Sequence, residues 1–173
     1  KLTLHLVSRF VDRAFYVRQA NRRYFPWCRL REDQFTYAPH AVDNEFFTAD
    51  DEKRQKEALG IRKELGIASE ATVFLFAGKL EPIKQPLELA EAFESIQAQA
   101  HLIYVGSGAL ETQLKQRFDR NPNIHFVGFQ NQSKMPVWYR VADVFCLPSR
   151  GPGETWGLAV NEALACGCKV IVS

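Results

Sequence analysis

The sequence lacks long apolar segments and has a single methionine, Met135. It contains no run of the ~18 apolar residues that a membrane-spanning helix needs, and no pattern typical of a secretory signal peptide. The chain opens at Lys1 without an initiator and closes at Ser173, directly after an apolar run at residues 170–172. We therefore expect a segment that does not itself span a membrane and that is a fragment of a longer protein.

The sequence also lacks a metal-binding cysteine pattern. Its four cysteines are Cys28, Cys146, Cys166 and Cys168, and neither a histidine nor a Cys-x-x-Cys pair accompanies them. Zinc sites are built from such groups, so a zinc site is not expected. The cysteines are better explained as buried, reduced thiols of a cytoplasmic protein.

Acidic residues are almost absent from the first part of the chain. Residues 1–31 hold eight basic residues against Asp12 alone, a net charge of +7, whereas the remainder carries 14 basic and 19 acidic residues, a net charge of −5. A basic, aromatic-rich segment is typical of a solvated helix face, the interpretation we prefer, or of contact with an anionic membrane or an anionic acceptor. Because the basic residues do not continue along the chain, no nucleic-acid partner is expected.

What the sequence does contain, from Thr72 onward, is a regular alternation of strand-like and helix-like patterns. Apolar runs predict strands at residues 72–78, 101–106, 124–127, 144–147 and 169–172, with helical apolar stripes between them. Such alternation predicts a doubly wound α/β domain with a parallel sheet. Ligands of these domains bind beyond the carboxyl ends of the strands, so the following loops should line a site. These loops follow Ala77, Val105, Val127 and Leu147.

The pattern before Thr72 differs. Residues 4–25 predict two helices around a short strand at 14–17, residues 35–38 predict a strand, and residues 50–66 predict a polar helix. We place the domain boundary between residues 43 and 44, which gives one partial domain at 1–43 and a second domain at 44–173.

Two lysines stand where the first strand of this domain gives way to a helix. Lys79 and Lys84 lie in a turn that begins at Gly78 and ends at Pro86. The start of a helix attracts anions, and two lysines there would neutralise a diphosphate. Two solvated surface lysines are an equally good interpretation of these residues alone.

The segment at residues 149–163 carries the most information. Its glycines and proline make a loop whose backbone can approach a ligand closely, and the loop opens a helix whose free N–H groups near Gly157 and Leu158 would face a phosphate. From Leu158 to Cys168 the side chains are apolar or small except at Asn161 and Glu162, so this helix should be covered on almost every side. A carboxylate there is costly unless it is hydrogen-bonded. We expect a hydroxyl-rich ligand, rather than a structural partner, to satisfy Glu162.

Gly106 and Gly108 form a Gly-x-Gly turn after a predicted strand. The third glycine of a dinucleotide fingerprint is absent, and Glu111 stands in its place. This absence argues against a nicotinamide-binding module and favours a tight turn beside another ligand.

These motifs together resemble one known family. Glu154 and Glu162 are separated by seven residues, as in the E-x7-E signature of the retaining glycosyltransferases of family 4, and residues 154–167 resemble that family's most recognisable stretch. Other segments resemble family motifs in family order. They lie at residues 39–43, 78–84, 105–108, 127–129, 142–144 and 148–149. The resemblance covers roughly residues 12–173, and it departs at Lys79, where arginine is common, and near Pro86, where glycine usually follows the lysine.

The resemblance implies a fold and a reaction. The fold is GT-B, an α/β architecture with a Rossmann-like doubly wound parallel sheet in the C-terminal donor domain (residues 44–173) and part of a second Rossmann-like domain at 1–43. The reaction is transfer of a sugar from a nucleotide-diphosphate sugar to a glycan, lipid-linked or small-molecule acceptor with retention of configuration, as in polysaccharide biosynthesis. Such enzymes need no cofactor and no divalent metal, and the sequence has no Asp-x-Asp motif to hold a metal.

The resemblance also implies roles for single residues. Lys79, Lys84 and Glu154 would act in catalysis, the lysines on the diphosphate and Glu154 on the donor sugar. Glu162 would bind the ribose hydroxyls and Phe129 would border the base. The whole set of residues implied in substrate binding is Gly78, Lys79, Lys84, Gly106, Phe129, Glu154, Thr155, Trp156, Gly157, Leu158, Ala159 and Glu162.

Several questions stay open at this point. The base, the sugar and the acceptor are not identified, and a GT-B epimerase or phosphorylase, or a non-catalytic nucleotide-binding subunit, remain alternatives. We expect a cytoplasmic protein, with peripheral contact to the inner face of the membrane left open by the basic segment. Residues 1–173 alone are expected to be inactive, because most of the acceptor half would be missing.

Overall fold

The computed structural model describes residues 2–96, 99–151 and 157–173. The chain divides into two compact units, Lys1–Ala41 and Val42–Ser173. Each unit has its own strands and helices, and the two are described separately.

The smaller unit is built around two short parallel strands. Helix α1 (Leu2–Val7) precedes strand β1 (Ala14–Tyr16), and helix α2 (Gln19–Tyr24) precedes strand β2 (Phe35–Tyr37). The two strands pair with Ala14 opposite Phe35. The order helix, strand, helix, strand is the one that the sequence predicts.

Acidic residues balance part of the positive charge of the smaller unit. Glu32 Oε2 lies 2.9 Å from Arg22 Nη2, and Asp33 Oδ1 lies 3.0 Å from Arg31 Nε. All four side chains are exposed to solvent, so these pairs contribute little to stability. Glu32 and Asp33, which directly follow the basic segment, are therefore among its ion-pair partners.

The larger unit contains the remaining helices and strands. The helices are α3 (Asn44–Thr48), α4 (Asp51–Glu64), α5 (Pro86–Glu94), α6 (Glu111–Phe118), α7 (Met135–Val141) and α8 (Leu158–Ala165). The strands are β3 (Thr72–Ala77), β4 (Ala100–Val105), β5 (Ile124–Gly128), β6 (Val144–Leu147) and β7 (Lys169–Val172). All five strands lie at or within one residue of the positions that the apolar runs predict.

The five strands form one parallel sheet in the order β5-β4-β3-β6-β7. The first strand of the sheet along the chain, β3, is therefore the central one. Strands β4 and β5 are added on one side of it through α5 and α6, and β6 and β7 on the other side through α7 and α8. Right-handed crossovers place these two helix pairs on opposite faces of the sheet. Beside β3 the strand order reverses, and this is where doubly wound domains bind ligands.

The core of this unit lies on both faces of the central strands. Val73, Leu75, Phe76, Leu102 and Ile103 have no measurable exposure, because helices cover the sheet above and below. Helix α7 is buried along its whole length. Burial on both faces explains why the strands of this sheet are continuous apolar runs rather than alternating ones.

Helix α8 corrects one expectation. It was predicted to be covered on almost every side, but of its residues Ala163 alone is buried and Leu164 is 53% exposed. Its most extensive contacts within the described residues are with α3, α7, β6 and β7. These elements cover one side of the helix, and the other side faces solvent.

No helix among residues 2–96, 99–151 and 157–173 is long and apolar enough to cross a membrane.

Candidate functional site

A cleft of about 630 Å³ lies at the carboxyl ends of β3 and β4. Its volume is in the range of sites that hold small-molecule ligands. The loops after β3, β4 and β5 form its floor, and side chains of α7 and α8 form one wall. Six of the residues predicted to bind substrate line it, namely Gly78, Lys79, Gly106, Phe129, Ala159 and Glu162.

Backbone hydrogen bonds join the three floor loops to one another. The N–H of Gly78 donates to the carbonyl of Val105 at 3.0 Å, and the N–H of Gly106 donates to the carbonyl of Gly128 at 2.8 Å. The loops after β3 and β4 are joined again by the N–H of Leu80, which donates to the carbonyl of Ser107 at 3.0 Å. Main-chain atoms make all three bonds, so these bonds do not depend on side-chain groups. The fourth loop that topology predicted, after Leu147, contributes none of its described residues to the cleft.

The two lysines occupy different positions, since Lys79 lines the cleft and Lys84 does not. The side chain of Lys79 is 77% exposed, and its Nζ lies 3.9 Å from Glu81 Oε1, a carboxylate that also lines the cleft. Lys84 ends a short 3-10 turn (Pro82–Lys84), and its side chain folds back over Gly78. The two residues are so close that a methyl group added to Gly78 would lie 3.5 Å from Lys84 Cδ. The turn therefore brings both lysines to the end of β3.

Glu162 lies on the wall of the cleft with both carboxylate oxygens hydrogen-bonded. Oε2 accepts from the hydroxyl of Tyr139 at 2.7 Å, and Oε1 accepts from Nε2 of Gln132 at 2.8 Å. The expectation that a ligand alone would satisfy this carboxylate is therefore wrong, because two protein side chains already do so. Each oxygen keeps a second lone pair for a ligand, so a binding role stays a prediction.

The start of α8 meets the cleft through its second residue, Ala159. Gly157 precedes the helix with a φ of 69°, in the left-handed region that glycine adopts readily. Leu158, the first residue of the helix, is 39% exposed and does not line the cleft. Three predicted residues, Glu154, Thr155 and Trp156, lie outside the described residues.

Sequence reasoning missed several residues of the cleft, among them Tyr139, Gln132 and Met135. Tyr139 and Met135 belong to α7, a helix whose apolar pattern predicts burial and nothing else. Gln132 stands in the loop after β5, which topology did assign to the site. The neighbouring Phe129 also lines the cleft and is 70% exposed.

Burial shapes the chemistry of the thiols and of the tyrosine. It raises the pKa of Cys146 to about 11 and that of Cys168 to about 12, so both are neutral thiols at pH 7. Burial, and then the charge of Glu162, raise the pKa of Tyr139 far above its ordinary value. Tyr139 therefore keeps its proton and donates a hydrogen bond to Glu162. In the part of the chain that the structure describes, no group of three His, Cys, Asp or Glu side chains could hold a metal ion.

Comparison with known protein families gives a match over residues 71–173 to the family described as glycosyl transferases group 1. Among curated proteins, the D-inositol 3-phosphate glycosyltransferase of Jonesia denitrificans is 34% identical over 148 residues, which are 76% of this chain and 33% of that protein. The lipopolysaccharide 1,2-N-acetylglucosaminetransferase of Salmonella typhimurium is 28% identical over 155 residues, or 82% of this chain and 40% of that protein. The chain thus spans about a third of the length of the curated relatives that it matches first.

Solved structures give the same fold. The Anabaena protein HepE, crystallised with UDP-glucose, superimposes with a TM-score of 0.77 at 22% sequence identity, over 99% of this chain and 47% of HepE. A glycosyltransferase from Rickettsia africae gives a TM-score of 0.77 at 17% identity, over 95% of this chain and 47% of that protein. The α/β, Rossmann-like GT-B fold that the sequence predicts is thereby confirmed.

Proposed function

Because the chain belongs to the family of group 1 glycosyl transferases, we propose that its larger unit binds the nucleotide-diphosphate sugar donor of a sugar-transfer reaction. One observation carries the proposal. A cleft lies where the strand order reverses, with a lysine at its rim and a carboxylate on its wall. The names of the curated relatives and the UDP-glucose complex of HepE support the same conclusion.

The proposed roles follow from the chemistry of the lining groups. Lys79 and Lys84 bind the diphosphate, because they bring two positive charges to the end of β3. Glu162 accepts hydrogen bonds from the ribose hydroxyls through its remaining lone pairs. Phe129 offers an exposed aromatic face for the base. The backbone at residues 157–159 approaches the phosphate and the sugar.

The proposed reaction transfers the sugar to a glycan, lipid or small-molecule acceptor with retention of configuration. Negative charge grows on the departing diphosphate, and the fixed charges of the lysines and the N–H groups at the start of α8 stabilise it. We propose that no divalent metal takes part, since lysines supply the positive charge. Retention, the contact of Glu154 with the sugar, peripheral membrane contact and the inactivity of residues 1–173 by themselves stay predictions.

The two units have separate proposed roles. Residues 44–173 would form the donor domain, and residues 1–43 would belong to the acceptor domain and the linker. The basic and aromatic side chains of the smaller unit, among them the exposed Phe10 and Trp27, would then belong to the acceptor side of the protein.

A nicotinamide-binding function is disfavoured by the place of the Gly-x-Gly turn. A dinucleotide fingerprint occupies the first strand-to-helix turn of its domain. In this sheet that turn follows β3, whereas Gly106 and Gly108 follow β4. A GT-B epimerase or phosphorylase would share the cleft, and product analysis with a labelled nucleotide sugar distinguishes these enzymes from a transferase.

Thermal-shift screening of the protein against UDP, GDP and ADP sugars tests the proposal. We expect one nucleotide to raise the melting temperature, because a ligand that binds the native state stabilises it. Lys79→Ala should lower the affinity for that nucleotide about tenfold, as expected for the loss of a charge-assisted bond. Lys115→Ala removes the same charge from α6, outside the cleft, and should leave the affinity unchanged. No stabilisation by any of the three nucleotides, or equal losses in the two variants, would contradict the proposal.

A further inference from the structure

Tyr139 connects the core of the larger unit to the cleft. Its residue is 1% exposed, yet its hydroxyl reaches the wall of the cleft and donates to Oε2 of Glu162 at 2.7 Å. A buried tyrosine hydroxyl needs a partner, and a carboxylate makes that bond a strong one.

The ring of Tyr139 is packed between aromatic side chains. The ring of Phe145 on β6 lies 5.7 Å away in an edge-to-face arrangement, and the ring of Phe47 on α3 lies 6.1 Å away. The carbonyl of Tyr139 accepts a hydrogen bond from the thiol of Cys168 at 2.7 Å. Ring and backbone are thus held by α3, by β6 and by the turn that precedes β7, which leaves the hydroxyl a single position.

The other oxygen of Glu162 has a different kind of partner. Gln132 belongs to a short 3-10 turn (Gln132–Lys134) at the surface, and its bond to Oε1 is solvent-exposed, whereas the bond from Tyr139 is partly buried. Oε2 is therefore bound to a rigid group and Oε1 to a side chain that solvent can replace. A neutral donor on each oxygen leaves the negative charge of the carboxylate in place.

We propose that Tyr139 is the positioning residue for Glu162, and that it fixes the carboxylate so that the vicinal hydroxyls of a ribose replace Gln132 at Oε1. The inference rests on the proposed function, since it takes a nucleoside diphosphate as the ligand. Tyr139 itself does not touch the ligand in this arrangement. It acts by fixing the rotation of the carboxylate before the ligand arrives. Binding then does not have to supply the free energy that ordering this side chain costs.

The test is a double-mutant cycle on nucleotide affinity, measured by calorimetry with UDP, GDP and ADP and with their 2′-deoxy forms. Tyr139→Phe keeps the ring and removes the hydroxyl. It should lower the affinity for the ribonucleotide about 5- to 20-fold, in the range expected for one hydrogen bond to a charged group. The loss should be much smaller for the 2′-deoxy form. In the Glu162→Gln background the same change should have no further effect, because residues that act through one another are not additive.

Tyr104→Phe is the matched control. The hydroxyl of Tyr104 is also buried, and it donates at 2.7 Å to the carbonyl of Pro86. Its loss should lower the melting temperature about as much as Tyr139→Phe while leaving the preference for ribose over 2′-deoxyribose unchanged. Gln132→Ala should change the affinity less than Tyr139→Phe does.

Three results would overturn the inference. Additive losses in the double variant, or an unchanged preference for ribose in Tyr139→Phe, would mean that Tyr139 supports only the core. Failure of the unaltered protein to bind any of the three diphosphates would overturn the proposed function, and this inference with it.

Discussion

Gly106 and Gly108 are the residues that let the loops of the cleft floor meet at backbone distance. A methyl group on Gly106 would lie 2.0 Å from the carbonyl oxygen of Gly78, and one on Gly108 would lie 2.6 Å from the backbone of Leu80. Neither neighbour is a flexible side chain, so the clash cannot be relieved by a rotamer change. The φ of 137° at Gly106 would also strain the backbone of any other residue substituted there.

Gly106→Ala should therefore destabilise the protein by about 3 kcal/mol or more, through overpacking and strain together. Gly60→Ala is the control, because Gly60 lies inside α4 with nothing within 4 Å of the added methyl group. That change should stabilise the protein by about 0.5–1 kcal/mol, the helix preference of alanine over glycine. Chemical denaturation of both variants measures these free energies. Similar effects of the same sign would show that the loops are not in contact as described.

Glu162 is the residue on which ligand binding is expected to depend most. Glu162→Gln should weaken nucleotide binding by about 1.5–3 kcal/mol, because a charge-assisted bond to the ribose becomes a neutral one. Unfolding is not expected, since the amide oxygen can still accept from Tyr139. Calorimetric titration gives the affinity, and Glu111→Gln on α6 serves as a control for the loss of a carboxylate outside the cleft. An unchanged affinity in Glu162→Gln would disprove the ribose assignment.

At the scale of elements, the pairing of β4 with β5 brings two histidines together on one face of the sheet. His125 is opposite Ile103, so His101 is its diagonal neighbour. Their rings stack with centroids 5.3 Å apart, and Nδ1 of His101 lies 3.0 Å from Nε2 of His125. One nitrogen must donate and the other must accept, so the pair cannot hold a proton on both of these nitrogens.

This pair should make stability depend on pH. Burial lowers the pKa of both histidines, with further lowering from Arg62 at His101 and from His101 at His125. The unfolded chain then binds more protons than the native one below the ordinary histidine pKa of ~6.5, and stability is lost as the pH falls through that value. His125→Phe should flatten the fall in melting temperature between pH 7.5 and about 5.5. An identical pH profile for the variant and the original protein would rule out this contribution.

At the scale of the whole molecule, most of the sheet of the larger unit could be predicted from the sequence. Parallel strands buried on both faces are continuous apolar runs, and runs such as residues 72–78 are easily recognised. The alternation with helices then predicts the sheet and the edge at which ligands bind. The lysine turn and the Gly-x-Gly turn follow strand ends directly, so their place at that edge was predictable as well.

The partners of Glu162 could not be predicted in the same way. Tyr139 and Gln132 are 23 and 30 residues away in the chain, and their approach depends on how α7 and α8 pack on the sheet. Nothing in the apolar pattern of α7 marks the one hydroxyl that reaches the cleft. The exposed side of α8 was missed for a related reason, because composition predicts apolarity but not which neighbours cover a helix.

A crystal structure of the protein with the nucleoside diphosphate selected by thermal-shift screening would test most directly whether this cleft is a nucleotide-sugar site. We predict the ribose hydroxyls within hydrogen-bond distance, about 3 Å, of Glu162 Oε1. The diphosphate should lie between the lysine turn at residues 78–84 and the start of α8, with the bond from Tyr139 to Oε2 unchanged. A nucleotide bound elsewhere, or one whose ribose points away from Glu162, would contradict the proposed site.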